Sequence, residues 1–253
     1  MNLPGRTLPL VLLLAAALPL SAQTPVVPDW ALPGSATHHQ VPPPADFRRP
    51  TTTTLVPLGL FEGQSDVGSA LVPGSASYDS ATQRYTITSA GYNIWYFRDE
   101  FRFLWKKMSG DVSLAADVAF PNPAGYGDRK VVLIFRQDLD DDSKEVMVAL
   151  HGAGLIHLAS RAAKRADITE TCKVPALSSG RLAHRIGIQK HGDSFALFIS
   201  KTGEPMHQAG PDLKLSFDEP YYVGIGFTSH QPATLDTAAV SNVLLVNAAG
   251  QVK

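Results

Sequence analysis

The chain is poor in cysteine, with Cys172 alone among 253 residues. One cysteine cannot form an intramolecular disulfide, so the stability of the fold must come from a hydrophobic core. Apolar residues make up 44% of the chain, an ordinary share for a globular domain. The sequence therefore predicts a domain stabilised by core packing.

The chain also lacks an excess of charge of either sign, with 22 basic and 23 acidic residues. A near-neutral protein has no overall field that attracts nucleic acid or an anionic membrane, so we expect neither partner. Long apolar runs are absent too. The longest, from Leu8 to Leu20, is shorter than the roughly 20 residues of a membrane span and contains Pro9 and Pro19.

That apolar run is typical of a secretory signal peptide. Arg6 precedes it, and the small-residue sequence Leu20-Ser21-Ala22 follows it. We predict cleavage after Ala22, so that residues 1–22 are removed. No cysteine lies directly after the cleavage site, and no Asn-x-Ser/Thr sequon is present, which favours a protein secreted by, or periplasmic in, a bacterium.

Composition divides the remaining chain into three parts. Residues 23–57 are rich in proline, as in "VPPPADFRRPTTTTLVP", and have no apolar periodicity, which predicts an extended tether. Residues 58–248 carry short alternating apolar runs between Gly, Asp, Asn and Pro, the pattern of an antiparallel β-sandwich. Residues 249–253 are a short tail.

Ten segments are predicted to be strands of this all-β domain. They are 85–90, 101–107, 111–120, 130–136, 145–151, 154–161, 184–190, 194–200, 221–228 and 239–246. Gly192-Asp193, between two of these segments, predicts a tight hairpin turn.

Aromatic residues are concentrated in "NIWYFRDEFRFLWKK". In an extended strand, alternation puts Phe101, Phe103 and Trp105 on one face, with a more polar reverse face. Trp105 is therefore predicted to be core. Trp95 precedes the strand where alternation is broken, and it is a candidate for an exposed ligand contact or for the cap of one sandwich end.

The turns also predict how three consecutive strands pair. If Phe135 lies opposite Val146, and Leu150 lies opposite Ile156, then one face is apolar throughout and must be the core. This face comprises Val131, Leu133, Phe135, Val146, Val148, Leu150, Ile156 and Leu158.

The opposite face of these strands is mixed. At one end Arg136, Glu145 and Arg161 would be directly opposed, as in an exposed cross-strand charge ladder. The face has two interpretations: a shallow ligand groove, or a half-covered sheet beneath a loop. For the first, the candidate ligand-binding residues are Trp95, Arg136, Glu145, Met147, His151, His157 and Arg161.

Three stretches resemble the concanavalin A-like lectin/glucanase superfamily. They are "FEGQSDVGSALVPGSASYDSATQRYTITSAGYNIWYFRDEFRFLWKKMSGDVSLAADVAF", "KVVLIFRQDLDDDSKEVMVALHGAGLIHLASR" and "YYVGIGFTSHQPATLDTAAVSNVLLV". More narrowly, they resemble the exported β-sandwich modules found beside TolB-type β-propellers in bacterial envelope proteins. The resemblance covers roughly Leu60 to Asn247 and implies a jelly-roll of two antiparallel sheets.

Some members of the superfamily are hydrolases with a Glu-x-Asp-x-x-Glu arrangement on one strand, and no such triplet occurs here. The adjacent pairs Asp99-Glu100 and Asp218-Glu219 would point to opposite faces if extended, so neither could flank one glycosidic bond. We therefore predict no catalytic residues and a protein that is not an enzyme.

A metal site is a separate alternative. The loop "QDLDDDSKE" concentrates Asp138, Asp140 and Asp142, whose oxygens would suit Ca²⁺. The loop lacks the spacing of an EF-hand, and without a cation these carboxylates would simply repel one another. No other cofactor is predicted.

These observations predict an exported, non-catalytic β-sandwich that binds a glycan or another component of the cell envelope. The alternative is a protein-interaction or structural module that docks onto an envelope protein such as a β-propeller. A glycoside hydrolase is the third possibility.

Overall fold

The computed structural model describes residues 1, 50–174, 183–201 and 204–252. The predicted signal peptide beyond Met1, and the predicted tether as far as residue 49, lie outside the described residues.

The described chain folds into strands joined by turns. They are β1 (Thr52–Thr54), β2 (Gly63–Val67), β3 (Ser75–Asp79), β4 (Arg84–Gly91), β5 (Ile94–Trp95), β6 (Arg98–Asp99), β7 (Phe101–Met108), β8 (Val112–Ala119), β9 (Lys130–Arg136), β10 (Glu145–His151), β11 (Ile156–Arg161), β12 (Thr169–Val174), β13 (Ala183–His191), β14 (Ser194–Lys201), β15 (His207–Gln208), β16 (Leu213–Lys214), β17 (Tyr221–Thr228) and β18 (Gln231–Val246). No helix in this part of the chain is long and apolar enough to cross a bilayer.

Two antiparallel sheets form the sandwich. The first has the strand order β1-β2-β7-β17-β9-β10-β11-β12. The second has the order β15-β14-β13-β8-β18-β4-β3, with β16 also paired to β14. The separate two-stranded hairpin β5-β6 belongs to neither sheet. The predicted all-β sandwich is confirmed, and each of the ten predicted strands overlaps an observed one.

The predicted register of β9, β10 and β11 is also confirmed. Phe135 pairs with Val146, and Leu150 pairs with Ile156. The face predicted to be core packs against the second sheet, where Leu114 and Ile186 join the same buried cluster. Alternation set this register because a slip of one residue would turn the whole apolar face outward.

The reverse face of the first sheet carries a second apolar cluster. It comprises Val67, Ile94, Phe101, Phe103, Trp105, Val132, Ile134, Met147, Ala149 and Ala159. Trp105 is 3% exposed, and its Nε1 donates to Ser65 Oγ at 2.9 Å. The predicted burial of Trp105 is therefore confirmed. The side chains of Phe101, Phe103 and Trp105 nevertheless point away from the second sheet. It is Leu104, on the other face of β7, that packs in the core between the two sheets.

This reverse face, called the outer face below, is covered by the β5-β6 hairpin. Ile94 of the hairpin is fully buried in the outer cluster. Alternation in the sequence indicates which face of the sheet a residue lies on. It does not show that another segment, here the β5-β6 hairpin, covers the outer face.

The sandwich begins earlier than the composition predicted. Thr52–Thr54, assigned from sequence to the tether, pairs as β1 with residues 64–66 of β2. These threonines are exposed and form the edge of the first sheet, so they leave no apolar alternation to detect. The hairpin predicted at Gly192-Asp193 is present, since His191 pairs with Ser194 and Gly192 has a φ of 55°.

Candidate functional site

The outer face of the first sheet has three zones along its strands. At one end is an ionic cluster of Asp99, Arg136, Glu145 and Arg161. The apolar outer cluster occupies the middle. At the other end is a pocket of about 230 Å³, whose lining is Asn93, Trp95, Asp128, Lys130, His151, Leu155, His157, Glu170, Lys173 and His230.

The ionic cluster is completely enclosed. Arg136 Nη1 donates to Asp99 Oδ2 at 2.7 Å, and Arg161 Nη2 donates to Asp99 Oδ1 at 2.7 Å. Glu145 also accepts a hydrogen bond from Arg136. The side chains of all four residues are 0% exposed. Asp99 belongs to the hairpin, whereas the other three lie on the sheet, so the cluster fastens the hairpin to the sheet.

The two carboxylates in this cluster respond differently to the same surroundings. Burial opposes ionisation of Asp99, but Arg161 and Arg136 outweigh it and lower the pKa of Asp99. Burial raises the pKa of Glu145 to about 8, and the Asp99 charge adds to the effect. Asp99 is therefore the counter-ion shared by both guanidinium groups.

This burial corrects part of the predicted ligand set. Arg136, Glu145 and Arg161 are opposed as predicted, but the expectation of an exposed ladder is wrong. The hairpin covers them from above, and Arg161 also donates to the backbone oxygens of Tyr96 and Ala166. Met147 is likewise buried in the outer cluster. None of these four side chains reaches solvent, so the interpretation of a sheet beneath a loop describes this end of the face.

The pocket brings together the other three predicted residues. His151 ends β10 and His157 lies near the start of β11, and both side chains point to the outer face. Trp95 is supplied by the hairpin. Its ring lies 5.0 Å from the His157 ring, centroid to centroid. Trp95, His151 and His157 therefore share one pocket, as the groove interpretation requires.

Lys130 forms part of the pocket floor, at the start of β9 and paired with His151. The residue is 2% exposed, and its Nζ donates to Ile94 O at a long 3.4 Å. The ammonium lies over the Trp95 ring, 5.4 Å from the centroid. Burial lowers the pKa of Lys130 to about 8, although Asp128 partly offsets the shift.

His151 and His157 are also buried, at 6% and 2% exposure. Burial lowers the pKa of His151 to about 4, and the neighbouring Lys130 cation adds to the shift. The same two causes lower the pKa of His157 to about 2. Both imidazoles are therefore neutral at pH 7. None of their ring nitrogens has a hydrogen-bond partner within the described residues.

Two carboxylates lie at the pocket rim, each beside one histidine. His151 Nδ1 is 3.8 Å from Asp128 Oδ1, and His157 Nδ1 is 3.6 Å from Glu170 Oε2. The Asp128 and Glu170 side chains are 38% and 31% exposed, so they remain in contact with water. The approach of His151 lowers the pKa of Asp128 to about 2, which keeps this carboxylate ionised at neutral pH.

His230 also lines the pocket. It lies in the turn between β17 and β18, with a φ of 61°. Its ring stacks on Tyr126 with a centroid separation of 5.3 Å and an interplanar angle of 12°. This contact fixes the imidazole at the pocket edge.

Sequence reasoning missed most of the charged lining. Lys130 could have been found, because the predicted register extends by one pair to place it opposite His151 on the same face. Lys173 and Glu170 belong to β12, an exposed strand at the edge of the first sheet. Because apolar and polar residues do not alternate along it, the sequence did not predict this strand. Asp128 and Asn93 lie outside the sheets, and no local pattern linked them to this face.

The carboxylates of the acidic loop pair with a lysine of the same chain. Lys164 Nζ contacts Asp138, Asp140 and Asp142, and it is 3.4 Å from the nearest oxygens of the first and the last. Arg165 pairs with Asp142 at 3.1 Å. The described part of the chain holds no group of three or more His, Cys, Asp or Glu side chains suited to a metal. Lys164 therefore neutralises part of the charge of the carboxylates that the sequence offered as ligands for Ca²⁺.

A second depression, of about 340 Å³, is lined by residues including Phe120, Leu150 and Arg129. The Arg129 guanidinium is already paired with Asp236 at 2.7 Å and lies over Phe120 at 5.0 Å. Because its main charged group is engaged within the fold, the first pocket is the better candidate site.

Comparison with known proteins supports the fold. No protein-family model and no curated protein sequence matches the chain. A functionally unknown protein from Saccharomyces cerevisiae is similar in structure, with a TM-score of 0.54 and 14% identity, over 71% of this chain and 95% of that one. The GH43 protein BlXynB from Bacillus licheniformis has a TM-score of 0.50 and 13% identity, over 69% of this chain and 35% of that one.

The carbohydrate-binding module CBM66 from Bacillus subtilis is more distant, with a TM-score of 0.44 and 14% identity, over 68% of this chain and 91% of that one. At such identities the likeness shows the fold alone. The protein is a β-sandwich.

Proposed function

We propose that this protein is an exported, non-catalytic β-sandwich that binds a glycan of the cell envelope at the pocket defined by Trp95, Lys130, His151 and His157. The observation that carries the proposal is that the Trp95 ring and the nitrogen donors of Lys130, His151 and His157 line the same pocket. Sugars are recognised by such pairs, because a ring packs on the apolar face of a pyranose while polar groups bond its hydroxyls.

The size of the pocket supports the same conclusion. Sites for drug-sized ligands occupy roughly 300–1,000 Å³, whereas this pocket measures about 230 Å³. A single sugar unit, with neighbouring units extending into solvent, fits this space better than a large cofactor. The rim carboxylates Asp128 and Glu170 would accept hydrogen bonds from sugar hydroxyls.

The acid-base properties of the pocket favour binding over hydrolysis. A glycosidase needs one carboxyl group held protonated as a general acid beside a second carboxylate. Asp128 has a pKa lowered to about 2, so it is a poor proton donor at neutral pH. Glu145, with its raised pKa, is sealed in the ionic cluster at the far end of the face.

A second candidate is a protein-interaction module that docks onto an envelope protein such as a TolB-type β-propeller. It is favoured by Leu55, Val56 and Leu60, which are 75%, 57% and 46% exposed near the N-terminal edge strand. Exposed apolar side chains that are close together are typical of contact surfaces.

A glycan array with the exported chain tests the proposal. We expect binding to a restricted set of glycans and loss of at least about tenfold in affinity in Trp95→Ala, with partial recovery in Trp95→Phe because stacking is retained. Silence across the array would favour the protein-interaction module. Release of reducing sugar from a bound glycan, lost in Asp128→Asn, would instead indicate a hydrolase.

A further inference from the structure

Lys173 of the pocket lining is exposed, so Lys130 supplies the only buried ammonium among the lining residues described. It has one long hydrogen bond, to Ile94 O, and forms no ion pair within 4.0 Å in the described part of the chain. An ammonium group offers three donors. Burying such a group without a counter-ion is costly, so the pocket floor has an unmet requirement for a negatively charged acceptor.

The two histidines beside Lys130 reinforce this requirement. Each neutral imidazole carries one N–H donor. No ring nitrogen has a hydrogen bond of 3.5 Å or shorter among the described residues, since the nearest carboxylate oxygens lie 3.8 and 3.6 Å from the two Nδ1 atoms. A carboxylate has two oxygens in one plane, so it can accept from Lys130 and from an imidazole N–H at the same time. A hydroxyl could meet one of these donors but would leave the lysine charge unbalanced.

The rim carboxylates do not remove this preference. Asp128 and Glu170 face the histidines and remain about one-third exposed. Water screens their repulsion of an incoming anion, whereas the attraction of Lys130 acts across a buried, low-dielectric space. Lys173 adds a further positive charge to the lining.

We infer that the sugar taken by this pocket is a uronic acid unit, whose carboxylate pairs with Lys130 while Trp95 contacts its ring. The inference rests on the proposed glycan-binding function and specifies its ligand class. One buried ammonium, that of Lys130, with no guanidinium in the lining matches a monovalent carboxylate better than a phosphate, which is typically bound by forked arginine donors or helix N-termini.

Titration calorimetry with uronic acid oligomers tests this inference on the wild-type chain. Tetragalacturonate, tetramannuronate and tetraguluronate are each compared with their methyl esters, which keep the sugar backbone and remove the charge. We expect at least one acid oligomer to bind about tenfold or more tightly than its ester. Raising NaCl from about 0.05 M to about 0.5 M should weaken binding of the acid alone.

Two lysine variants locate the charge. Lys130→Met keeps the aliphatic stem and should reduce the tenfold preference for acid over ester to about twofold or less. Lys107→Met is the matched control, because Lys107 also lies over an aromatic ring, Tyr222 at 5.3 Å, but lies outside the pocket lining. It should leave the preference unchanged.

The possible outcomes distinguish failure of the uronic acid assignment from failure of the proposed glycan binding. If neutral oligomers or methyl esters bind as well as the acids, or if only sulfated glycans bind, the uronic acid assignment fails while glycan binding stands. If no glycan binds, both fail. If Lys130→Met does not fold, the comparison of acid with ester on the wild-type protein still decides the question.

Discussion

His151 and His157 are neutral because of where they lie on the outer face of the first sheet. Both are buried beside Lys130, so burial and a neighbouring positive charge disfavour the imidazolium form. The pKa of His151 falls to about 4 and that of His157 to about 2. In the unfolded chain both would titrate near 6.5. The native state therefore favours neutral histidines.

Acidification should destabilise the protein through these two residues. Between about pH 6.5 and pH 4.5 the unfolded chain binds protons that the folded chain excludes, so the free energy of unfolding falls as pH falls, by up to about 1.4 kcal/mol per pH unit for each histidine. We expect the double variant His151→Gln/His157→Gln to lose less stability than the wild type across this interval, measured by urea denaturation.

Glu145 opposes this trend, because its pKa is raised by burial to about 8 and the folded state holds its proton more tightly than the unfolded state. It is present in both proteins, so the difference between them isolates the histidines. Substitution of the exposed His207 by Gln is the control for the chemical change itself. Identical slopes for the double variant and the wild type would contradict the assigned burial.

At the scale of elements, the β5-β6 hairpin depends on the sheet beneath it. Two strands of two residues each are too short to be stable alone. The hairpin is held by Ile94 in the outer cluster, by Asp99 in the ionic cluster, and by Tyr96 O, which accepts from Arg161 Nη2 at 3.1 Å. Because the hairpin also carries Trp95, the ionic cluster supports one wall of the pocket.

Substitution of Arg161 should therefore strongly lower the free energy of unfolding. Arg161→Ala leaves Asp99 buried with one of its two counter-ions gone, and breaking a buried pair in this way typically costs about 3–5 kcal/mol. The matched control is Arg185→Ala in the second sheet, whose partner Asp117 lies 2.9 Å away and whose side chain is 18% exposed. That pair should contribute about 0–1 kcal/mol.

Urea denaturation of both variants measures this difference, and tryptophan fluorescence measured in a Trp30→Phe/Trp105→Phe background reports the surroundings of Trp95. Equal losses of stability in the two arginine variants would show that burial of the ionic cluster has no energetic consequence. An unchanged fluorescence spectrum in folded Arg161→Ala would show that the cluster does not position the hairpin.

At the scale of the whole molecule, the sandwich is stabilised by packing, since its one cysteine cannot form an internal disulfide. Two apolar layers supply this packing: the core between the sheets and the outer cluster beneath the hairpin. Such a domain is compatible with an oxidising compartment but does not require one. Export is therefore argued from the N-terminal sequence.

We predict that the exported protein begins at Gln23, because the signal peptide pattern places cleavage after Ala22. Mass spectrometry of the N-terminal peptide from extracellular or periplasmic material checks this. As a control, Ala22→Arg should block cleavage by placing a large charged residue where a small one is needed. An intact Met1 or Asn2 start in exported wild-type protein would refute the prediction.

The sequence by itself determined the alternating strands, the pairing of β9 with β10 and β11, and therefore which side chains share a face. These features are local: alternation has a period of two, and the register is the one that keeps the apolar face continuous between strands adjacent in the sequence. The same reasoning correctly placed His151 and His157 on the outer face and opposed Arg136, Glu145 and Arg161.

Only the tertiary structure decided which parts of that face are open. Asp99 and Trp95 are 37 and 35 residues before Arg136 and Lys130 along the chain, yet the hairpin folds over the sheet and seals one end while lining a pocket at the other. The pairing of Lys164 with the acidic loop is decided in the same way. Burial depends on contacts between segments distant in sequence, and local periodicity carries no information about them.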